Sequence, residues 1–182
     1  MDQKNGDPIY LVVCGGSSLI ITGLVARTVT RDVDILAFAK PENGEDVEIV
    51  EAISLPQPLI ECAKEVARDL GISEKWLNNQ PHSEASFGLP KGIEKRLKRY
   101  EYGKTLIIYF IGRLDQIHFK LHAAVDQGVG RHVDDLLALK PTEGEMELAA
   151  KWVLTQDAGE QFPLILKQEL RKMGYAPVAD RI

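Results

Sequence analysis

The chain has only two cysteines in 182 residues, Cys14 and Cys62, and they lie far apart. That leaves no disulfide framework and no zinc-ligand spacing. Cys14 sits in an apolar run, which favours a buried, reduced thiol. No apolar run approaches the length that spans a bilayer. The polar opening MDQKNGDP does not read as a signal peptide, so a cytoplasmic protein without membrane partners is the expectation. Basic charge is not in excess: 22 Lys and Arg stand against 27 Asp and Glu, for a net charge of −5. That balance argues against non-specific nucleic-acid binding, although it leaves room for a local basic groove. Internal repeats and low-complexity segments are absent. What is there is an ordinary globular composition, 45% hydrophobic and 27% charged, long enough to bury a core without staples.

The most informative stretch runs from Tyr10 to Phe38. Tyr10 to Cys14 is short, apolar and β-branched, which suits a buried strand. Gly15-Gly16 then makes a turn that lets backbone approach a ligand closely. Ser17 or Ser18 is expected to cap the following helix, whose first N–H groups would form an anion site. A second strand carries Asp32-Val33-Asp34-Ile35-Leu36. Residues two apart on a strand share a face, so Asp32 and Asp34 point one way and Val33 and Ile35 the other. Two carboxylates roughly 7 Å apart can hold Mg²⁺ together with a substrate's phosphates. The plainer alternatives are a simple turn and cap at Gly-Gly-Ser and a solvated strand edge at Asp-x-Asp. A dinucleotide-binding turn is not met, because the third glycine is missing.

Further along, Val47 to Ser54 alternates as a strand and Leu59 to Leu70 has helical spacing, stopped by Gly71. Trp76-Leu77-Asn78 reads as an aromatic core anchor followed by a turn at Asn78-Asn79, in preference to the alternative of a direct ligand role. Lys91 to Lys104 is locally basic: either a solvated helix face or a groove that meets an RNA or nucleotide. Thr105 to Gly112 reads as a central strand buried on both faces. Helices follow over Gln116–Asp126 with Asp115 as N-cap, His132–Leu139, a segment capped by Thr142 and Glu145, and Phe162–Met173. The tail from Tyr175 reads as irregular. On the Gln116–Asp126 helix, Lys120 lies beside the apolar stripe and can snorkel towards a cleft. His118, His122 and Asp126, spaced four apart, are a weaker zinc candidate. No Glu follows His118, so the zinc-protease motif is absent.

Gly15-Gly16-Ser17 followed by Asp32-Val33-Asp34 resembles the signature of the nucleotidyltransferase superfamily. Arg27 and Thr30 ahead of the aspartates add to the likeness, as do Lys120-Leu121-His122-Ala123 and Arg131-His132-Val133-Asp134-Asp135-Leu136. With them the chain resembles small bacterial AbiEii-like proteins of that superfamily. The resemblance implies an α/β (α+β) fold with a mixed sheet, flanking helices and a C-terminal helical portion, divided as 1–139 and 140–182. It implies Mg²⁺-dependent transfer of a nucleotidyl group from a nucleoside triphosphate to an RNA or protein hydroxyl, in a toxin–antitoxin or phage-defence setting, with a cognate protein as a further partner. Gly15, Gly16, Ser17 and Arg27 would hold the nucleotide, and Asp32 and Asp34 the Mg²⁺. Lys120 would neutralise phosphate charge, oriented by Asp135. Full members carry a third carboxylate on a later strand. Glu48, Glu51 and Asp115 are available, and none matches a clear motif. The alternative is therefore a catalytically inactive binding or regulatory protein of the same fold.

Overall fold

A computed structural model describes residues 7–42, 47–83, 87–128 and 130–182. Parts of three expected loops, at 43–46, 84–86 and Val129, and of the polar lead-in, at 1–6, lie outside the described residues. The chain divides into two units. The first comprises Met1–Thr22 and Arg27–Gly112, the second Gly23–Ala26 and Arg113–Ile182.

The first unit is built on β1 (Ile9–Cys14). Its apolar residues suit a central place, and it pairs antiparallel with β2 (Val33–Pro41) and parallel with β6 (Leu106–Phe110). The order β3-β2-β1-β6-β5 makes a mixed six-stranded sheet, with β3 spanning Val47–Glu51 and β5 Lys98–Tyr102. The short β4 (Leu77–Asn78) pairs parallel with β2 at Val33 and Asp34. Opposite β1, the register of β2 shifts between Val12 and Val13, which makes Leu36 a bulge residue. One face of the sheet collects Leu11, Val13, Ile35 and Phe110 with Leu59 of α2 (Gln57–Leu70). Helix α2 starts with proline in its first turn and ends at Gly71 in the left-handed region, φ 63°, where glycine carries no steric penalty.

In the second unit, α3 (Arg113–Gln127) buries Ile117, Leu121 and Ala124. It packs against α4 (Arg131–Ala138) and α5 (Glu143–Val153). Helices α6 (Phe162–Lys172) and α7 (Ala176–Arg181) pack on each other. Thr142 and Glu145 form the expected capping box. The Arg113 guanidinium grips both Glu145 oxygens and donates to the carbonyls of Leu139 and Lys140, tying α3 to the α4–α5 corner.

Several expectations are corrected. Neither Ser17 nor Ser18 caps α1 (Gly15–Ile21), which starts at Gly15. Ser17 donates instead to the Cys14 carbonyl and Ser18 to that of Ile111. Asp115 is likewise inside the first turn of α3 and fully buried. Strand β3 stops at Glu51 rather than Ser54, because the Asn79 amide takes the carbonyls of Ala52 and Ile53. The basic run forms a 3-10 turn (Ile93–Arg96) and the exposed strand β5, not a helix face. Strand β6 is shorter than expected and only partly buried at Leu106 and Ile108. The tail is helical: Pro177 is tolerated in the first turn of α7, and Val178 and Ala179 are buried.

Candidate nucleotide site

The end of β1 and the start of β2 bring the first motif together. Cys14 pairs with Asp34. Val33 and Ile35 belong to the apolar cluster, so Asp34 points to the opposite face. Asp32 lies one residue ahead of the strand and its carboxylate accepts from Thr30 Oγ1 at 3.3 Å. Asp34 Oδ1 accepts from the Asn78 amide at 3.1 Å, across the pairing of β4 with β2. Each aspartate thus accepts from a neutral side-chain donor, which helps fix its rotamer.

The two glycines are required by what faces them. Gly15 has φ 69°, and a Cβ there would lie 2.3 Å from Asp34 Oδ2. At Gly16 a Cβ would lie 2.8 Å from Thr30 Oγ1 and 2.9 Å from Arg27 Nη2. Gly15, Gly16, Arg27, Thr30, Asp32, Asp34 and Asn78 therefore form one constellation in the first unit. Ser17 is buried beside it, with its hydroxyl on the Cys14 carbonyl. A surface cleft of about 440 Å³ borders the group, lined by Thr30, Arg31, Asp32 and Trp76 among others.

Sheet register separates the remaining carboxylates. Glu51 stands opposite Ala37, and Ala37 opposite Val12. Val12 and Cys14 share a face of β1, so the bulge at Leu36 leaves Glu51 on the face of Asp34. Glu48 stands opposite Lys40 on the other face and pairs with its ammonium at 3.3 Å. Asp115 is in the second unit. Among the described residues no group of three His, Cys, Asp or Glu side chains could hold a metal ion.

Lys120 and Asp135 belong to the second unit, where they form an ion pair at 2.8 Å with each side chain only 5% exposed. The lysine ammonium is thus buried against the carboxylate of Asp135, the residue expected to orient it. The zinc candidate dissolves into packing: His118 Nδ1 meets the Leu114 carbonyl at 2.7 Å, and His118 and His122 both meet Trp152 edge to face.

A family model described as "Nucleotidyltransferase of unknown function (DUF6036)" matches residues 1–130. The chain belongs to this family. The match spans every member of the constellation in the first unit, and Lys120, and stops short of Asp135. No curated protein and no solved structure matches the chain. Asn78, expected to open a turn, instead ends β4 and turns its amide onto Asp34. Its signal was the apolar Trp-Leu pair directly before it, which allowed a two-residue strand instead of a turn.

Proposed function

We propose that the protein catalyses Mg²⁺-dependent transfer of a nucleotidyl group from a nucleoside triphosphate to an RNA or protein hydroxyl. The observation that carries this reading is Asp34 set against Gly15, with Asp32 joined to the same turn through Thr30, which faces Gly16, each carboxylate held by a side-chain donor. Carboxylate oxygens are the donors Mg²⁺ prefers, and it binds through one or two of them plus substrate phosphates. The pair therefore fits the ion, with Glu51 the further carboxylate on the same face. Bound there, Mg²⁺ would neutralise phosphate charge and align the triphosphate. The chain's own contribution is positional. Thr30 and Asn78 orient the carboxylates, and the side-chain-free Gly15-Gly16 turn lets phosphate approach backbone N–H groups. Arg27, facing Gly16, adds positive charge at the same place.

The AbiEii-like setting, a toxin–antitoxin or phage-defence module, belongs to this proposal. So does a phosphate role for Lys120. A second reading, a nucleotide-binding regulator without turnover, is favoured by the lack of a three-carboxylate set among the described residues. Incubation with each labelled triphosphate, Mg²⁺ and total RNA or lysate separates the two. Label transfer that disappears with Asp32→Ala/Asp34→Ala supports the enzyme. Metal-dependent binding without transfer supports the regulator.

A further inference from the structure

Trp76 is the large aromatic residue of the cleft that contains Asp32. Three features fix it there. Its carbonyl accepts from Val33 N–H at 2.6 Å, continuing the β4–β2 pairing by one residue. Its indole Nε1–H donates to the Ala63 carbonyl at 3.0 Å, which locks the ring plane. Asn78, two residues on, holds Asp34. The ring is half-buried, and its cleft of about 440 Å³ falls within the size range of small-molecule sites.

The strand order gives the cleft a direction. β1, ending in Gly15-Gly16, lies on one side of the Asp32–Asp34 segment, and β4 with Trp76 lies on the other. Two strand spacings, roughly 10 Å, separate them. A nucleoside triphosphate with phosphates over Gly15-Gly16, and its metal-bound phosphate at the aspartates, extends its sugar and base towards the indole. Ile72, exposed on the same cleft, offers an apolar wall.

We infer that Trp76 is the stacking platform for the base of the nucleoside triphosphate. The inference rests on the proposed nucleotide site. Stacking on an indole accepts any base. Thr30 Oγ1 is engaged with Asp32 and Ser73 Oγ with Lys75 N–H, while the exposed Arg31 guanidinium lines the same cleft. Stacking area itself favours the larger purine rings. ATP and GTP therefore bind more tightly than CTP or UTP.

The test compares ATP with ribose 5-triphosphate, which keeps the phosphates and sugar and lacks the base. Calorimetric titration with Mg²⁺ should show ATP tighter by about ten-fold in the wild-type protein. Trp76→Leu should remove that difference by weakening ATP alone, whereas Trp76→Phe should keep most of it. Equal affinities for the two ligands in the wild type overturn the stacking role and leave the phosphate site standing. So does a difference that survives Trp76→Leu. If neither ligand binds, the nucleotide site itself is overturned. Should Trp76→Leu fail to fold, Trp152→Phe protein decides, since the chain has two tryptophans. Its indole emission must be quenched by ATP and not by ribose 5-triphosphate, and emission unchanged at saturating ATP overturns the inference.

Discussion

The Asn78 amide donates to the Asp34 carboxylate at 3.1 Å, joining two residues 44 apart in sequence. Removing a partner that orients a metal ligand typically weakens metal affinity by about 10- to 100-fold. Asn78→Ala should therefore lower Mg²⁺-dependent nucleotide binding by about ten-fold, with an unchanged circular dichroism spectrum. Titration of wild-type and variant protein with ATP and Mg²⁺ checks this.

The aspartates themselves should behave as ligands and not as core. Asp32→Ala/Asp34→Ala should abolish Mg²⁺-dependent nucleotide binding and leave the thermal midpoint within a few degrees of the parent. Unchanged binding would sink the metal-site reading.

Two glycines with nearly the same backbone separate strain from crowding. Gly15 has φ 69° and Gly23 has φ 70°, but only Gly15 has a neighbour where a Cβ would go. Gly23→Ala should cost about 1–2 kcal/mol, the usual penalty of a left-handed L-residue. Gly15→Ala should cost more, because Asp34 must also move, and nucleotide binding should fall with it. Urea denaturation and ATP titration of both variants provide the comparison.

The buried Lys120–Asp135 pair sets a different expectation from a surface lysine. Lys120→Met leaves the Asp135 carboxylate buried without its cation and should cost about 3–5 kcal/mol. Lys120→Met/Asp135→Leu should recover most of that loss. If Lys120→Met alone is neutral, the pair is not stabilising, and a role for the lysine in function becomes the better account of its burial.

Glu145 makes the second unit sensitive to acid. The Arg113 guanidinium, with the Thr142 backbone N–H, holds its carboxyl down from 4.5 to about 2. A depressed folded-state value means the stabilisation is fully present above pH 4.5 and is lost as pH falls towards 2. Glu145→Gln should cost about 1–2 kcal/mol at neutral pH. The gap from wild type should close between those two values, as denaturation midpoints measured from pH 6 to pH 2.5 would show.

The sheet core and most helices were legible because their signals are local. Helix α2 carries proline at its start, Gly71 at its end and an apolar stripe between, and Thr142 with Glu145 marks the start of α5. The face of Asp34 was legible through strand alternation, whereas Asp32, expected on the same strand, falls one residue ahead of β2. What escaped depends on partners distant in sequence. Strand β5 is exposed throughout, so no apolar pattern marks it, and β4 exists only because β2 offers Val33 and Asp34 to pair with. The cap at α1 was misplaced because Gly15 enters the helix directly, which the serines conceal. The bulge at Leu36, which decides which face Glu51 takes, leaves no mark on the composition of either strand.

The parallel ladder between β1 and β6 sets a timetable for synthesis. Ile9 pairs with Leu106 and Leu11 with Ile108, so the central strand waits nearly 100 residues for its second neighbour. At ribosomal speeds of about 5–20 residues per second, that delay is roughly 5–20 s. Throughout it, the edge of β1 next to Leu11, Val12 and Val13 is unpaired and apolar, a template for misassociation between nascent chains. Non-local pairing of this kind also slows folding. Chains truncated before Leu106 should accumulate in the insoluble fraction, and slower translation should lengthen the vulnerable interval without changing the folded product.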